Sequence, residues 1–262
     1  MTAVKKILCL PGFLQNGSTL AAKSSGLRKS MTKKLQLQLD FIDPYHRIQS
    51  KEEVSFPFGP TEAESQRVWE SVVQKGNNCC WWDHQGPGNN VGLQDSVDYI
   101  IDHIRNNGPY EGIIGFSQGA AMALMITNSI RRLLPSHPDF KIAMFISCFC
   151  LTEPKRGSDW DNRDINYKIG DLEEFKKVVE ISNDALEYTL PPNDLSTKII
   201  VVYGENDNIV TPVRSKYAAS VYSRENVSTF PHDGAHLVPN KKDFIEPILK
   251  AFNEQLYEKS LL

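Results

Sequence analysis

Short, almost unbroken apolar runs recur along this chain, each ended by a turn signal and followed by helical spacing. Lys6-Ile-Leu-Cys-Leu10 stops at Pro11-Gly12, Leu37 to Ile42 stops at Asp43-Pro44, and Lys198-Ile-Ile-Val-Val-Tyr203 stops at Gly204. Such runs are too short for buried helices and read as strands, the first and third of these as buried ones. Glu111 to Phe116, Lys141 to Cys150 and Val227 to Phe230 read the same way. Between them lie helical patterns over 18–34, from Leu93 to Asn107, and from Gln118 to Leu134. In the second, Leu93, Val97, Ile100, Ile101 and Ile104 share one face. Thr211 caps a helix that Pro212 opens and that runs to about Arg224. Asn240 is expected to cap a last helix carrying Phe244, Ile245, Ile248, Leu249, Phe252 and Leu256 on one side, bent at Pro247. Strands alternating with helices in this way build parallel β–α–β units. The expected class is α/β, with a mostly parallel central sheet and helices on both faces.

Two stretches break the alternation. Residues 45–90 and 150–195 are rich in Gly, Pro, Asn and charge, with one short helix expected in each, near Glu62–Gln74 and Leu172–Ile181. Loops this long in a compact protein tend to form lids or site walls. The chain of 262 residues is therefore read as one domain, 1–262, whose two insertions contribute to the site. A net charge of −3, from 29 basic and 32 acidic residues without long like-charge runs, points to no nucleic-acid partner. No apolar run approaches the ~20 residues that span a bilayer, so no membrane partner is expected. The opening MTAVKKILCLPGF has too short an apolar segment for a secretory signal. The five cysteines, Cys9, Cys79, Cys80, Cys148 and Cys150, are odd in number and lack metal-ligand spacing. Cys148 and Cys150 are expected on one face of a strand, as small core residues. The expectation is a cytoplasmic chain with reduced thiols, no metal and no cofactor.

The chemistry concentrates at Gly115-Phe116-Ser117-Gln118-Gly119, between an apolar strand and a helix. Gly-x-Ser-x-Gly in that context is a nucleophile elbow: the serine takes a strained turn that lifts its hydroxyl above the sheet edge. Side chains two residues to either side would collide with the turn, which is why glycine occupies both places.

A serine hydroxyl is a weak nucleophile and needs a base, itself oriented by a carboxylate. In this fold the order along the chain is Ser, Asp or Glu, then His. Asp207 directly follows an apolar strand, with Glu205 as a local rival. Of the histidines after the last strand, His236 sits in the loop leading to the final helix, whereas His232 still adjoins the strand. Asp207 and His236 are the expected partners of Ser117. The backbone N–H of Gln118, at the helix start, is one expected oxyanion donor. Phe13, in the loop after the first strand, supplies the other, with Leu14 as second choice. Leu14, Trp81 and Trp82 are expected to touch substrate. The aromatics Phe56, Phe58, Trp81, Trp82, Phe149, Trp160 and Tyr167 are expected above Ser117 as an apolar wall.

The segment Asn107-Gly-Pro-Tyr-Glu-Gly-Ile-Ile-Gly-Phe-Ser-Gln-Gly-Ala-Ala121 resembles the fungal serine hydrolase (FSH) family, related to the human ovarian tumour suppressor candidate homologue. Gly12-Phe-Leu-Gln-Asn-Gly17, Asp40-Phe-Ile-Asp-Pro44, Trp81-Trp82, the loop from Gly204 to Val210, and His236-Leu-Val-Pro-Asn-Lys241 carry the likeness over most of the chain. It departs at Pro11, where the family usually has His, and at Ala235, where it has Gly. The resemblance implies an α/β-hydrolase fold and carboxylesterase or acyl-thioesterase chemistry on a small-molecule ester or thioester. It also implies Ser117, Asp207 and His236 as nucleophile, acid and base. Two other readings stay open: a carrier-bound acyl thioesterase or acyltransferase, and a non-catalytic binding protein retaining the fold. The oligomeric state is not readable from the sequence.

Overall fold

The structure, a computed structural model, describes residues 4–86 and 88–257. The outer residues of the range 1–262 and Pro87, in the first insertion, lie outside the described residues.

The chain opens with β1 (Lys6–Leu10), α1 (Gly17–Lys23), α2 (Ser25–Leu35) and β2 (Gln38–Phe41). The first insertion holds β3 (His46–Arg47), α3 (Glu62–Gln74), β4 (Cys79–Cys80), β5 (Asp83–His84) and β6 (Asn90–Val91). Then come α4 (Leu93–Asn107), β7 (Gly112–Phe116), α5 (Gln118–Leu133) and β8 (Ile142–Ile146). The second insertion holds β9 (Thr152–Pro154), α6 (Asn162–Lys168), α7 (Leu172–Val178), β10 (Val179–Ile181) and α8 (Leu186–Thr189). The chain continues through β11 (Lys198–Gly204), α9 (Pro212–Ser220), β12 (Val227–His232) and α10 (Lys242–Leu256).

Six strands form one parallel sheet in the order β12-β11-β8-β7-β1-β2. Strand residues alternate between two apolar layers, as the period of two requires. Leu8, Leu10, Ile113, Ala143, Phe145, Ile199 and Val201 face the layer that includes α4, α5 and α9. Ile7, Cys9, Ile114, Ile142, Met144, Ile200 and Val202 face α2 and α10. Each fully buried aliphatic side chain contributes about 1.5–3 kcal/mol. Helix α5 is buried from Gln118 through Ile130. Two of its buried polar residues are satisfied: Thr127 Oγ1 donates to Ala123 O, and Asn128 bridges Thr189 O and Tyr222 OH, while Ser129 Oγ has no partner among the described residues.

The elements depart from the sequence reading in places. The helix expected over 18–34 is two, broken at Ser24, whose hydroxyl donates back to Leu20 O. Asn240 does not cap the last helix through its side chain. Its Oδ1 accepts from Gly26 N at 2.8 Å, serving the start of α2 instead. Lys241 is the cap residue of α10, which contains Pro247. The strand expected over Lys141–Cys150 ends at Ile146, so Cys148 and Cys150 are buried in the loop beyond it. Helix α9 ends at Ser220 rather than Arg224. The second insertion carries three α-helices and an antiparallel pair of strands, β9 and β10, where one helix was expected.

The strand order changes direction between β1 and β7. From β1 the chain moves outward to β2 on one side, then β7, β8, β11 and β12 fill the other. Open α/β sheets bind ligands beyond the carboxyl ends of their strands at such a switch point. Register pairs Leu10 with Gly115 and Phe116 with Ile146, so the loops after β1, β7 and β8 leave the sheet nearly level.

Candidate active site

Ser117 leaves β7 with φ 54° and ψ −120°, in left-handed backbone space that costs a non-glycine residue about 1–3 kcal/mol. The surroundings enforce it. A Cβ at Gly115 would lie 2.2 Å from Gly119 O, and one at Gly119 would lie 2.3 Å from Leu10 O and Pro11 O. Neither position tolerates a side chain. Ser117 N donates to Ile146 O at 2.9 Å, which pins the turn to the neighbouring strand.

His236 Nε2 lies 3.0 Å from Ser117 Oγ, and its Nδ1 lies 2.8 Å from Asp207 Oδ2. A carboxylate only accepts, so Nδ1 carries the proton and the bare Nε2 accepts from the serine hydroxyl. Asp207 is almost wholly buried, at 3% exposure. Burial pushes its carboxyl up. The hydrogen bond and charge of His236, with the N–H groups of Ile209 and Val210 (2.9 Å each), outweigh that and hold it below its ordinary range. Glu205, the local rival, is exposed. His232 is buried, accepts from Gly234 N at 3.1 Å and packs edge-on against Phe244, with burial pushing its pKa down.

A fourth group completes the chain. Ser147, at φ 50° just after β8, donates its hydroxyl to Asp207 Oδ2 at 2.9 Å. Sequence reasoning missed it, because the strand expected over Lys141–Cys150 placed Ser147 within the strand, whereas β8 ends at Ile146. Ser147→Ala removes a charge-assisted hydrogen bond worth about 1.5–3 kcal/mol. If roughly half of that is felt in the transition state, kcat for ester hydrolysis falls about three- to tenfold with KM little changed. Steady-state kinetics on a p-nitrophenyl ester check this; an unaltered kcat means the hydroxyl does not help hold the carboxylate.

The loop after β1 packs directly on the elbow, where a Cβ at Gly12 would come within 3.1 Å of Ser117 Cβ. Leu14 N donates to Cys79 O at 2.9 Å, so it is not free to meet an oxyanion. Among the described residues, Phe13 N and Gln118 N have no hydrogen-bond acceptor. Pro11, which stands where the family usually has His, is held through its carbonyl, which accepts from Trp81 Nε1 at 2.8 Å. The Gln118 side chain secures the same region. Its Oε1 accepts from Trp81 N at 2.9 Å and its Nε2 donates to Trp82 O at 2.8 Å.

A cavity of about 600 Å³ opens over Ser117. Both insertions line it: Phe56 and Trp82 from the first, Asn162, Asn166 and Tyr167 from the second, with Phe149 and Val210 from the sheet-edge loops. Four of the expected wall aromatics are therefore present and three are elsewhere. Phe58 packs on Trp69, Trp160 joins the cluster around Ile165 and Phe175, and Trp81 is fully buried as the anchor of Pro11. Leu14 also misses the cavity and packs with Ile48, Val54 and Trp69. A second cavity, of about 560 Å³ and bordered by Lys23 and Lys241, touches His236 but not Ser117. Among the described residues no helix is long and apolar enough to cross a membrane, and no His, Cys, Asp and Glu cluster is arranged to hold a metal ion.

Comparison with known proteins agrees with this architecture. The family model described as serine hydrolase (FSH1) matches residues 1–248. Family of serine hydrolases 3 of Saccharomyces cerevisiae is 24% identical, covering 95% of this chain and 83% of its own length. The human Esterase OVCA2 is 25% identical over 89% of each. In three dimensions, acyl-protein thioesterase 2 of Zea mays superposes with a TM-score of 0.53 at 14% identity, covering 98% of this chain and 95% of that one; this likeness shows the fold. With an α/β-hydrolase sheet, an elbow at its switch point and a family match running through nearly the whole chain, this protein belongs to the FSH1 serine hydrolase family and is a hydrolase.

Proposed function

We propose that the protein cleaves carboxylic esters or thioesters through an acyl-enzyme formed on Ser117. The observation that carries this is the hydrogen-bond chain Ser117 Oγ to His236 Nε2 and His236 Nδ1 to Asp207 Oδ2, set on a strained elbow. Ser117 Oγ attacks the carbonyl carbon as its proton passes to Nε2. The charge that develops on the carbonyl oxygen is met by Gln118 N–H and Phe13 N–H. Collapse of the tetrahedral intermediate expels the alcohol or thiol, which takes the proton back from Nε2. Water then enters, loses a proton to the same nitrogen, and releases the acid. The larger cavity is the substrate site in this reading because it contains the nucleophile and Gln118, whereas the second touches only the base.

Phe13, Phe56, Trp82, Phe149 and Val210 make an apolar wall that favours an acyl chain over an acetyl group. Each added methylene that becomes buried contributes ~0.8 kcal/mol, so a few carbons raise kcat/KM more than tenfold. The reading takes the chain as one catalytic domain with its insertions as pocket walls. A cytoplasmic setting suits the five free, buried cysteines.

The test is labelling with a fluorophosphonate together with a p-nitrophenyl ester series from acetate to decanoate. Wild type is expected to label at Ser117 and to prefer medium chains, and Trp82→Ala to flatten the preference. Labelling that persists in Ser117→Ala rejects the nucleophile. A flat or falling series rejects the acyl wall alone.

A further inference from the structure

Arg214 is the odd member of the cavity lining. It is the third residue of α9, in the first turn, where the helix dipole opposes a cation. Its guanidinium lies 4.4 Å from the centre of the Phe149 ring, and its Nε is wholly buried without an acceptor. Among the described residues its side chain makes no ion pair and no hydrogen bond. Burial pushes its pKa down to about 10, which leaves it charged at neutral pH. Asp207 acts on it through space, but that carboxylate is already committed to His236, Ser147, Ile209 and Val210.

The other charges lining the cavity do not answer it. Glu53 accepts from Gln49 N and Ser50 N, and Asp83 accepts from Gln85 Nε2. On the wall beside Arg214, Arg163 adds a second, exposed cation without an ion pair among the described residues. Thr211 Oγ1 donates to Asn166 O at 2.8 Å, joining α6 to the start of α9. Asn166 Oδ1 is likewise buried without a donor. The wall thus holds an unpaired guanidinium that lines the same cavity as Ser117. An uncompensated cation kept where it costs stability is typical of a site whose partner arrives with the ligand.

We propose that Arg214 seats an anionic group of the substrate, so that the ester or thioester cleaved at Ser117 carries a carboxylate or a phosphate. This rests on the hydrolytic reading of Ser117. The anion could sit on the acyl chain or on the leaving group, and paired substrates separate the two. Monoethyl adipate against ethyl hexanoate reports the acyl side. The hexanoate ester of 2-hydroxyethyl phosphate against that of ethylene glycol reports the leaving-group side.

In wild type, kcat/KM for the anionic member of one pair is expected to exceed that of its neutral partner by about tenfold or more. Arg214→Gln is expected to abolish that ratio and Arg214→Lys to restore part of it. The ratio is internal to each protein, so loss of folded material cancels. Calorimetry of adipate and of 2-hydroxyethyl phosphate with Ser117→Ala, and with Ser117→Ala/Arg214→Gln, reads the anion site without turnover. Hydrolysis without an Arg214-dependent ratio or Arg214-dependent binding overturns the proposal. Arg214-dependent anion binding in a protein that does not hydrolyse esters leaves the anion site standing and overturns the hydrolytic reading instead.

Discussion

His236→Ala is expected to lower kcat for ester hydrolysis by about 10⁶-fold, as is Ser117→Ala, and the double variant is expected to be no slower than either. In the proposed mechanism, without Nε2 at 3.0 Å nothing takes the Ser117 proton, and the hydroxyl stays a weak nucleophile. Without the hydroxyl, the imidazole has nothing to activate. Each loss already costs the whole unit, so the two cannot add. Residual hydrolysis in all three variants then reports the two N–H donors and substrate positioning alone. His232→Ala is expected to cost at most about tenfold, because His232 touches Gly234 and Phe244 rather than the serine. Single-turnover kinetics of the four variants check the pattern. Losses in His236→Ala and Ser117→Ala that multiply in the double variant contradict a shared unit.

Asp207→Asn is the second large effect, expected at about 10⁴-fold in kcat. The amide oxygen retains the position of Oδ1, where Ile209 N and Val210 N both donate. The amide nitrogen then replaces Oδ2 and faces His236 Nδ1. A donor there forces Nδ1 to accept, which moves the ring proton to Nε2 and points it at Ser117. The base is then blocked by its own proton, although the fold remains. The same carboxylate contributes to stability because its pKa is lowered on folding. That contribution is fully present above the unfolded-state pKa and is lost as pH falls through the lower folded value. Asp207→Asn is therefore expected to show a shallower loss of Tm on acidification than wild type. Equal acid slopes mean that the ionised carboxylate adds nothing to the fold.

Much of this was legible without coordinates. Period and punctuation located the six sheet strands, most plainly the four central ones, because a strand covered on both faces has to be a short apolar run with a turn former at its end, whereas the edge strands β2 and β12 are only partly covered. The boundaries were harder. The run from Lys141 to Cys150 continues apolar past Ile146 because the loop after β8 is itself buried, and burial rather than conformation is what an apolar pattern reports. The reassignment of Asn240 depends on a contact with Gly26, more than two hundred positions away.

At the site, Gly115, Ser117 and Gly119 could be read locally because the elbow is a local backbone problem: its strain and its glycines lie within five residues. The hydrogen-bonded line from Ser117 through His236 to Asp207 was foreseeable from chain order and from the places of the two residues just beyond strands. The tertiary structure decided what depends on the meeting of distant loops. Trp81 and Trp82 are neighbours in sequence, yet Pro11 O and Gln118 draw one into the core while the other faces the cavity. Ser147 joins Asp207 only because β8 lies beside β11. Arg214 reads in sequence as an ordinary basic residue on a helix. Its lack of a partner exists only once α6, α9 and the loop after β8 close around it, since an electrostatic vacancy is a property of everything that surrounds a charge.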